Sequence, residues 1–386
     1  MSRLDDQLRK SLRNLAADIL PDPDDLATVH ERAVQARRRE RWAVPLGALA
    51  VAGVVAVVIV VLSYATRHGQ MEPVEPTPSP TVPTSGALRE PTNPFKLLRT
   101  IEAATVRMDG PLKLAVGSAG QVYVTDVGQH VTELSATGDV VRQWGGRGTA
   151  PGQFRMYSGA VAVGPDGHVY VADTGNFRIQ VFTAAGRFIA QYGGYGLGPG
   201  RFVWPSDIVV GSDGTMYVAD DRAATITALS PSGQQLWRRG TPAESDPNLI
   251  GHQHLAGVNA SGQLVTTNDD VGRVLYLNPD GRVVDFFNPE EASAGVDASG
   301  ILDGHFPSGS CATTFDAQGN VYVSSCEESY EPTHDTAVYD PQHRFVAGWK
   351  RGNLVDAPVF GPDGHAWAIT SGNRTIVELE VHLPGS

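Results

Sequence analysis

Two histidines one residue apart, His252 and His254, precede a pair of aspartates, Asp269 and Asp270. In an extended His-x-His segment both rings project to the same side, because side chains alternate with period two. Imidazoles joined by carboxylates are a transition-metal donor set, and paired aspartates alone suit a hard cation such as calcium. His305, Glu327, Glu328, His334 and Asp335 follow downstream with the same chemistry. The same residues read equally as solvated loop side chains that contact a ligand without any metal. These nine positions are the expected ligand-binding set, and whether a metal joins them is open at this point.

Other chemistry is sparse. The chain has no G-x-S-x-G elbow and no H-E-x-x-H pair, so no catalytic residue is expected. The glycine-rich run at 193–200 opens no helix, so it is not a phosphate loop, and no cofactor is expected. Asp126, Asp173 and Asp220 recur at the ends of short apolar runs, which points to a turn role. There are two cysteines, Cys311 and Cys326. If Ala317 faces Asn320 across a hairpin turn, the same register sets Cys311 opposite Cys326, close enough for a disulfide. Two buried free thiols are the other reading.

The elements that position these residues come from an internal repeat. A glycine followed by a short apolar run recurs at Gly120, Gly167, Gly214, Gly262, Gly319 and Gly364, at spacings of 47, 47, 48, 57 and 45 residues. A second glycine follows at Gly138, Gly186, Gly233 and Gly281, and His343 stands in its place in the fifth unit. Each unit therefore holds four short runs with β patterning between turn signals. Such a period is the signature of a β-propeller. The sixth unit ends one strand short, and Lys96–Glu102 is a spare strand ahead of the first. Pairing the two closes a six-bladed ring over 96–386 and hides both sheet edges.

The second unit, Val169–Phe182 (VYVADTGNFRIQVF) followed by Gly193–Val210, resembles the NHL repeat, with Tyr170, Asp173, Gly175, Asn176, Arg178, Ile179 and Phe182 carrying the likeness. The first and third units resemble it well and the rest loosely. The resemblance implies an all-β, six-bladed propeller. The whole layout is similar to actinobacterial membrane-anchored NHL proteins.

Upstream of the propeller the chain changes character. From Ala43 to Thr66 there are 24 residues without a charge, enough to cross a hydrocarbon core of about 30 Å. Arg37, Arg38, Arg39 and Arg41 precede this run and only Arg67 follows closely. A single transmembrane helix over 43–66, with its core from Ala43 to Leu62 and the N-terminus inside, is expected. Residues 1–42 form a cytoplasmic stub whose Leu4, Leu8, Leu12, Leu15 and Ile19 make one helical stripe. It suits either the membrane surface or a cytoplasmic partner. Residues 67–95 are a Pro/Thr-rich spacer.

Net charge of −12 overall divides into +2 over residues 1–68 and −14 over the rest, where 20 Lys and Arg meet 34 Asp and Glu. That acidity argues against a nucleic-acid partner. The expectation is a membrane-anchored extracytoplasmic binding or sensing module at the cell membrane. Its ligand, an external protein or glycan, sits on the interblade-loop face over blades four and five, where the long loops are. Two alternatives stand beside it: a metal-dependent hydrolase or lyase on the same scaffold, and a structural scaffold of an envelope complex.

Overall fold

The computed structural model describes residues 94–240, 249, 252–268, 272–289, 310–325, 335–350, 358–370 and 375–383. The expected stub, span and most of the spacer lie outside these residues. So do Asp269, Asp270, His305, Cys326, Glu327, Glu328 and His334. Among the described residues no helix is long and apolar enough to cross a membrane.

The strands are β1 (Phe95–Glu102), then four per blade. Blade one holds β2 (Pro111–Val116), β3 (Val122–Asp126), β4 (His130–Leu134) and β5 (Val140–Gly145). Blade two holds β6 (Val161–Val163), β7 (Val169–Asp173), β8 (Arg178–Phe182) and β9 (Phe188–Gly193). Blade three holds β10 (Pro205–Val210), β11 (Met216–Asp220), β12 (Thr225–Leu229) and β13 (Gln235–Arg239). Blade four holds β14 (Gln253–Val258), β15 (Leu264–Asn268), β16 (Arg273–Leu277) and β17 (Val283–Phe287). Blade five holds β18 (Ser310–Phe315), β19 (Val321–Ser325), β20 (Asp335–Tyr339) and β21 (Phe345–Lys350). Blade six holds β22 (Val359–Phe360), β23 (Ala366–Ile369) and β24 (Thr375–Val381).

The sheets are ordered β2-β3-β4-β5 and so on around the ring, and the last is β22-β23-β24-β1. The spare N-terminal strand thus completes blade six, antiparallel to β24 with Phe95 opposite Val381 and Glu102 opposite Thr375. It begins at Phe95, one residue ahead of the expected boundary, because that ring is buried against Tyr322 of blade five.

Turn chemistry explains the repeat. In the β6–β7 hairpin, Gly167 N–H donates to the Gly164 carbonyl and Gly164 N–H to that of His168, both at 2.9 Å. Gly167 sits at φ +75°, a left-handed position that costs a side-chain-bearing residue about 1 kcal/mol or more. The core is not one mass but six apolar layers, each between adjacent blades. Tyr170 and Ala172 of β7 face blade three with Ile208 and Val218, while Val169 and Val171 face blade one with Tyr123 and Val131. Both faces of the sheet are covered, so β7 is buried at every position and reads as a continuous apolar run. Outer strands such as β9 alternate at the surface.

One register differs from expectation. Gly319 N–H donates to Asp316 O and Asp316 N–H to Asn320 O, so the β18–β19 turn has three residues and Asp316 faces Asn320. Ala312 is opposite Ser324, and the ladder slips again between Ser310 and Ala312. Cys311 therefore lies in a bulge, while Cys326, its expected partner, lies outside the described residues.

Candidate functional site

The innermost strands surround a channel of about 340 Å³. At the end where these strands begin, one rung repeats around the ring. Lys113 pairs with Thr125, Asp207 with Ala219, His254 with Thr267 and Ala312 with Ser324. Ala160 takes the place in blade two, its carbonyl accepting from Ala172 N–H at 2.8 Å. A cation, a carboxylate and an imidazole thus line the channel mouth, while Val116, Val163, Val210, Val258 and Phe315 line it at the other end.

The rung is stitched between blades by side chains. Asp207 Oδ2 accepts the Leu255 N–H of blade four at 3.0 Å, and its Oδ1 accepts the Ile208 N–H at 2.9 Å. Thr125 donates to the Gly159 carbonyl at 2.5 Å, and the Thr267 and Thr313 hydroxyls meet across blades four and five. Ser206 donates to Asp221 Oδ1 at 2.5 Å. Burial pushes the Asp207 carboxyl up from its ordinary range, and the charges of Lys113 and His254 oppose that rise. Burial raises Asp221 as well, and the Ser206 hydrogen bond, His254 and His252 oppose it. At both carboxyls burial therefore outweighs the polar groups that face them.

Of the residues expected from sequence, His254 lines the channel, and His252 and His254 both lie near enough to Asp221 to act on its carboxyl. Asp335 opens β20 within the described chain. Lys113, Asp207 and Asp221 went unrecognised. Their signal was present: 113, 207 and 254 are related by the 47-residue repeat, Asp207 is the one acid in the run PSDIVV, and Asp221 doubles the single turn aspartate of blades one and two. The turn aspartates themselves are structural. Asp173 accepts Arg155 N–H and Arg178 Nε, each at 2.7 Å. Asp220 accepts the N–H groups of Val203, Trp204 and Ala223, and Asp126 those of Asp109 and His130.

Among the described residues, the one group of three His or acidic side chains with ligand atoms within 4.8 Å of each other is Asp363, His365 and Glu378. It stands beside the blade-six hairpin turn, away from the mouth, and Arg99 shares Glu378 at 3.5 Å. That guanidinium supplies the positive charge a cation would otherwise supply.

The NHL repeat family model matches residues 159–182, within blade two. The chain is 29% identical over 147 residues to protein brain tumor of Drosophila melanogaster, covering 38% of this chain and 14% of that protein. It is 34% identical over 148 residues to the B-box type zinc finger protein ncl-1 of Caenorhabditis elegans, covering 38% and 17%. The chain thus spans less than a fifth of the length of either relative. Among solved structures, virginiamycin B lyase from Staphylococcus aureus is similar with a TM-score of 0.48 and 14% identity, covering 70% of this chain and 80% of that one. A streptogramin B lyase is similar with a TM-score of 0.48 and 12% identity, covering 75% and 98%.

Proposed function

We propose that this six-bladed propeller, which carries an NHL repeat, is a membrane-tethered extracytoplasmic binding module whose ligand seats on the mouth face. The observation that carries the reading is the charged rung, Lys113, Asp207 and His254, at one end of a channel whose other lining side chains are apolar apart from Thr313 and Thr314. Polar groups set at one end of an apolar concavity orient a ligand. The rung shifts the centre of the site toward blades three and four. The longer loops of blades four and five add His252 and, by sequence, the remaining expected residues. The tether rests on the uncharged run Ala43–Thr66 and the arginines before it. The ligand class is an external protein or glycan, and the stub at 1–42 suits a cytoplasmic partner.

Full-length protein in detergent, bearing Asp207→Asn with His254→Ala, tests the site against envelope extract. The double variant is expected to retain less than a tenth of the material captured by wild type. Arg282→Ala, in a surface hairpin turn away from the mouth, is expected to retain all of it. Equal capture by the mouth variant rejects the mouth as the site. Alkaline extraction of membranes checks the tether: the chain is expected to stay in the pellet, and a variant lacking 43–62 to leave it.

A further inference from the structure

Blade two opens a second concavity on the same face, a cleft of about 440 Å³, within the size range of small-ligand sites, roughly 300–1,000 Å³. Its walls include Arg155, Phe177 and Gly194. The guanidinium of Arg201 lies over Gly194, since a Cβ there would stand 2.3 Å from Arg201 Nη1. Arg178, also at this cleft, is fully engaged: Nε with Asp173, Nη1 with Gln191, and Nη2 with the carbonyls of Ala150 and Gln153. Arg155 and Arg201 have no carboxylate partner among the described residues. Because Asp173 cancels Arg178, the cleft carries an excess of two positive charges in a region whose net charge is −14. Phe177 is held at φ +57° and packs edge-on against Tyr195 at 5.0 Å. Tyr195 is 66% exposed. Two unpaired guanidinium forks thus stand beside an aromatic wall.

We propose that this cleft binds a short acidic saccharide, a sugar unit or two bearing one or two carboxylates. The proposal rests on the reading of this face as the ligand face and names the ligand's class. Arginine forks match carboxylates in a planar, bidentate way, and aromatic rings cover the apolar face of a pyranose. Charge sets the length of the ligand. Two local positive charges attract one or two carboxylates, while the acidity of the whole region repels a long polyanion such as a nucleic acid.

The test is calorimetric titration of the full-length chain with digalacturonate, the neutral disaccharide maltose, inorganic phosphate and a dinucleotide. Digalacturonate is expected to bind at least tenfold more tightly than each of the others, and more weakly as salt is raised. Arg155→Ala with Arg201→Ala is expected to lose at least tenfold for digalacturonate with an unchanged melting temperature. The Arg155→Lys/Arg201→Lys pair, which keeps the charge and removes the forks, is expected to fall between. Equal binding of maltose, tighter binding of phosphate or the dinucleotide, or an unchanged affinity in the alanine pair overturns the proposal. If digalacturonate fails while the Asp207→Asn/His254→Ala variant still loses envelope capture, the saccharide assignment falls and the mouth reading survives.

Discussion

Asp207 holds two backbone N–H groups yet is raised by burial, and Asp221 is raised for the same reason. A carboxyl with a higher pKa folded than unfolded binds its proton more tightly in the native state. Stability from such a group is greatest in acid and falls as pH climbs from about 4 through the raised value, then levels off. Asp207→Asn and Asp221→Asn remove that fall. Each variant is therefore expected to gain in melting temperature relative to wild type as pH rises from 3.5 to 7, whatever constant offset the lost acceptor causes. A difference that stays flat across the range refutes the assignment. His252 and His254 were legible as chemistry because they share a short motif. Lys113, Asp207 and Asp221 share no such motif: the repeat relates Lys113 and Asp207 to His254, but the three meet only once blades one, three and four close around the channel. His343 seemed to break the turn pattern, yet it takes φ +62° and stacks on Phe287 at 4.6 Å, so ring stacking offsets a backbone position suited to glycine.

At the scale of elements, the hairpin glycines fall into two kinds. Gly186, at φ +75°, lies under the Trp144 ring of the preceding blade, and a Cβ there would meet the ring at 2.8 Å. Gly262, at φ +76°, has nothing within 4 Å. Gly262→Ala bears only the left-handed cost, about 1–2 kcal/mol. Gly186→Ala adds an overpacked ring, typically about 1–3 kcal/mol more. Denaturant melts that rank the two equally would show that the blade-to-blade contact is weak. Strand positions were readable because the two-residue period and the turn glycines repeat, and each of blades one to five holds the four strands expected. The register at Cys311 was not readable. It depends on a three-residue turn and a bulge, and neither changes the apolar pattern of β18 and β19.

For the whole molecule, ring closure is the controlling feature. Ile101 of β1 is 7% exposed and packs with Leu114, Val124 and Trp367 between blades six and one. Ile101→Ala is expected to cost about 2–5 kcal/mol, read from urea unfolding. Deleting 95–102 exposes the length of β24 and is expected to give soluble aggregates on size exclusion. A monomeric deletion variant of wild-type stability would show that closure through β1 is dispensable. The ring was legible in the sequence from simple counting, since the sixth unit lacks a strand and one is spare upstream.

That closure also sets a clock. Lys96 and Glu380 form an ion pair at 2.7 Å across 284 residues of chain. At about 5–20 residues per second of synthesis, β1 waits roughly 15–60 s for its partner strand to be made. Blades one to five pair locally and can form during that time, but the last seam is the most non-local contact in the fold and closes last. During the wait β1 exposes Phe95 and Ile101, both buried in the finished ring, with Lys96 and Arg99 between them. In the finished ring those two cations pair with Glu380 and Glu378. Before that, the same charges guard an unpaired apolar strand against the wrong neighbour.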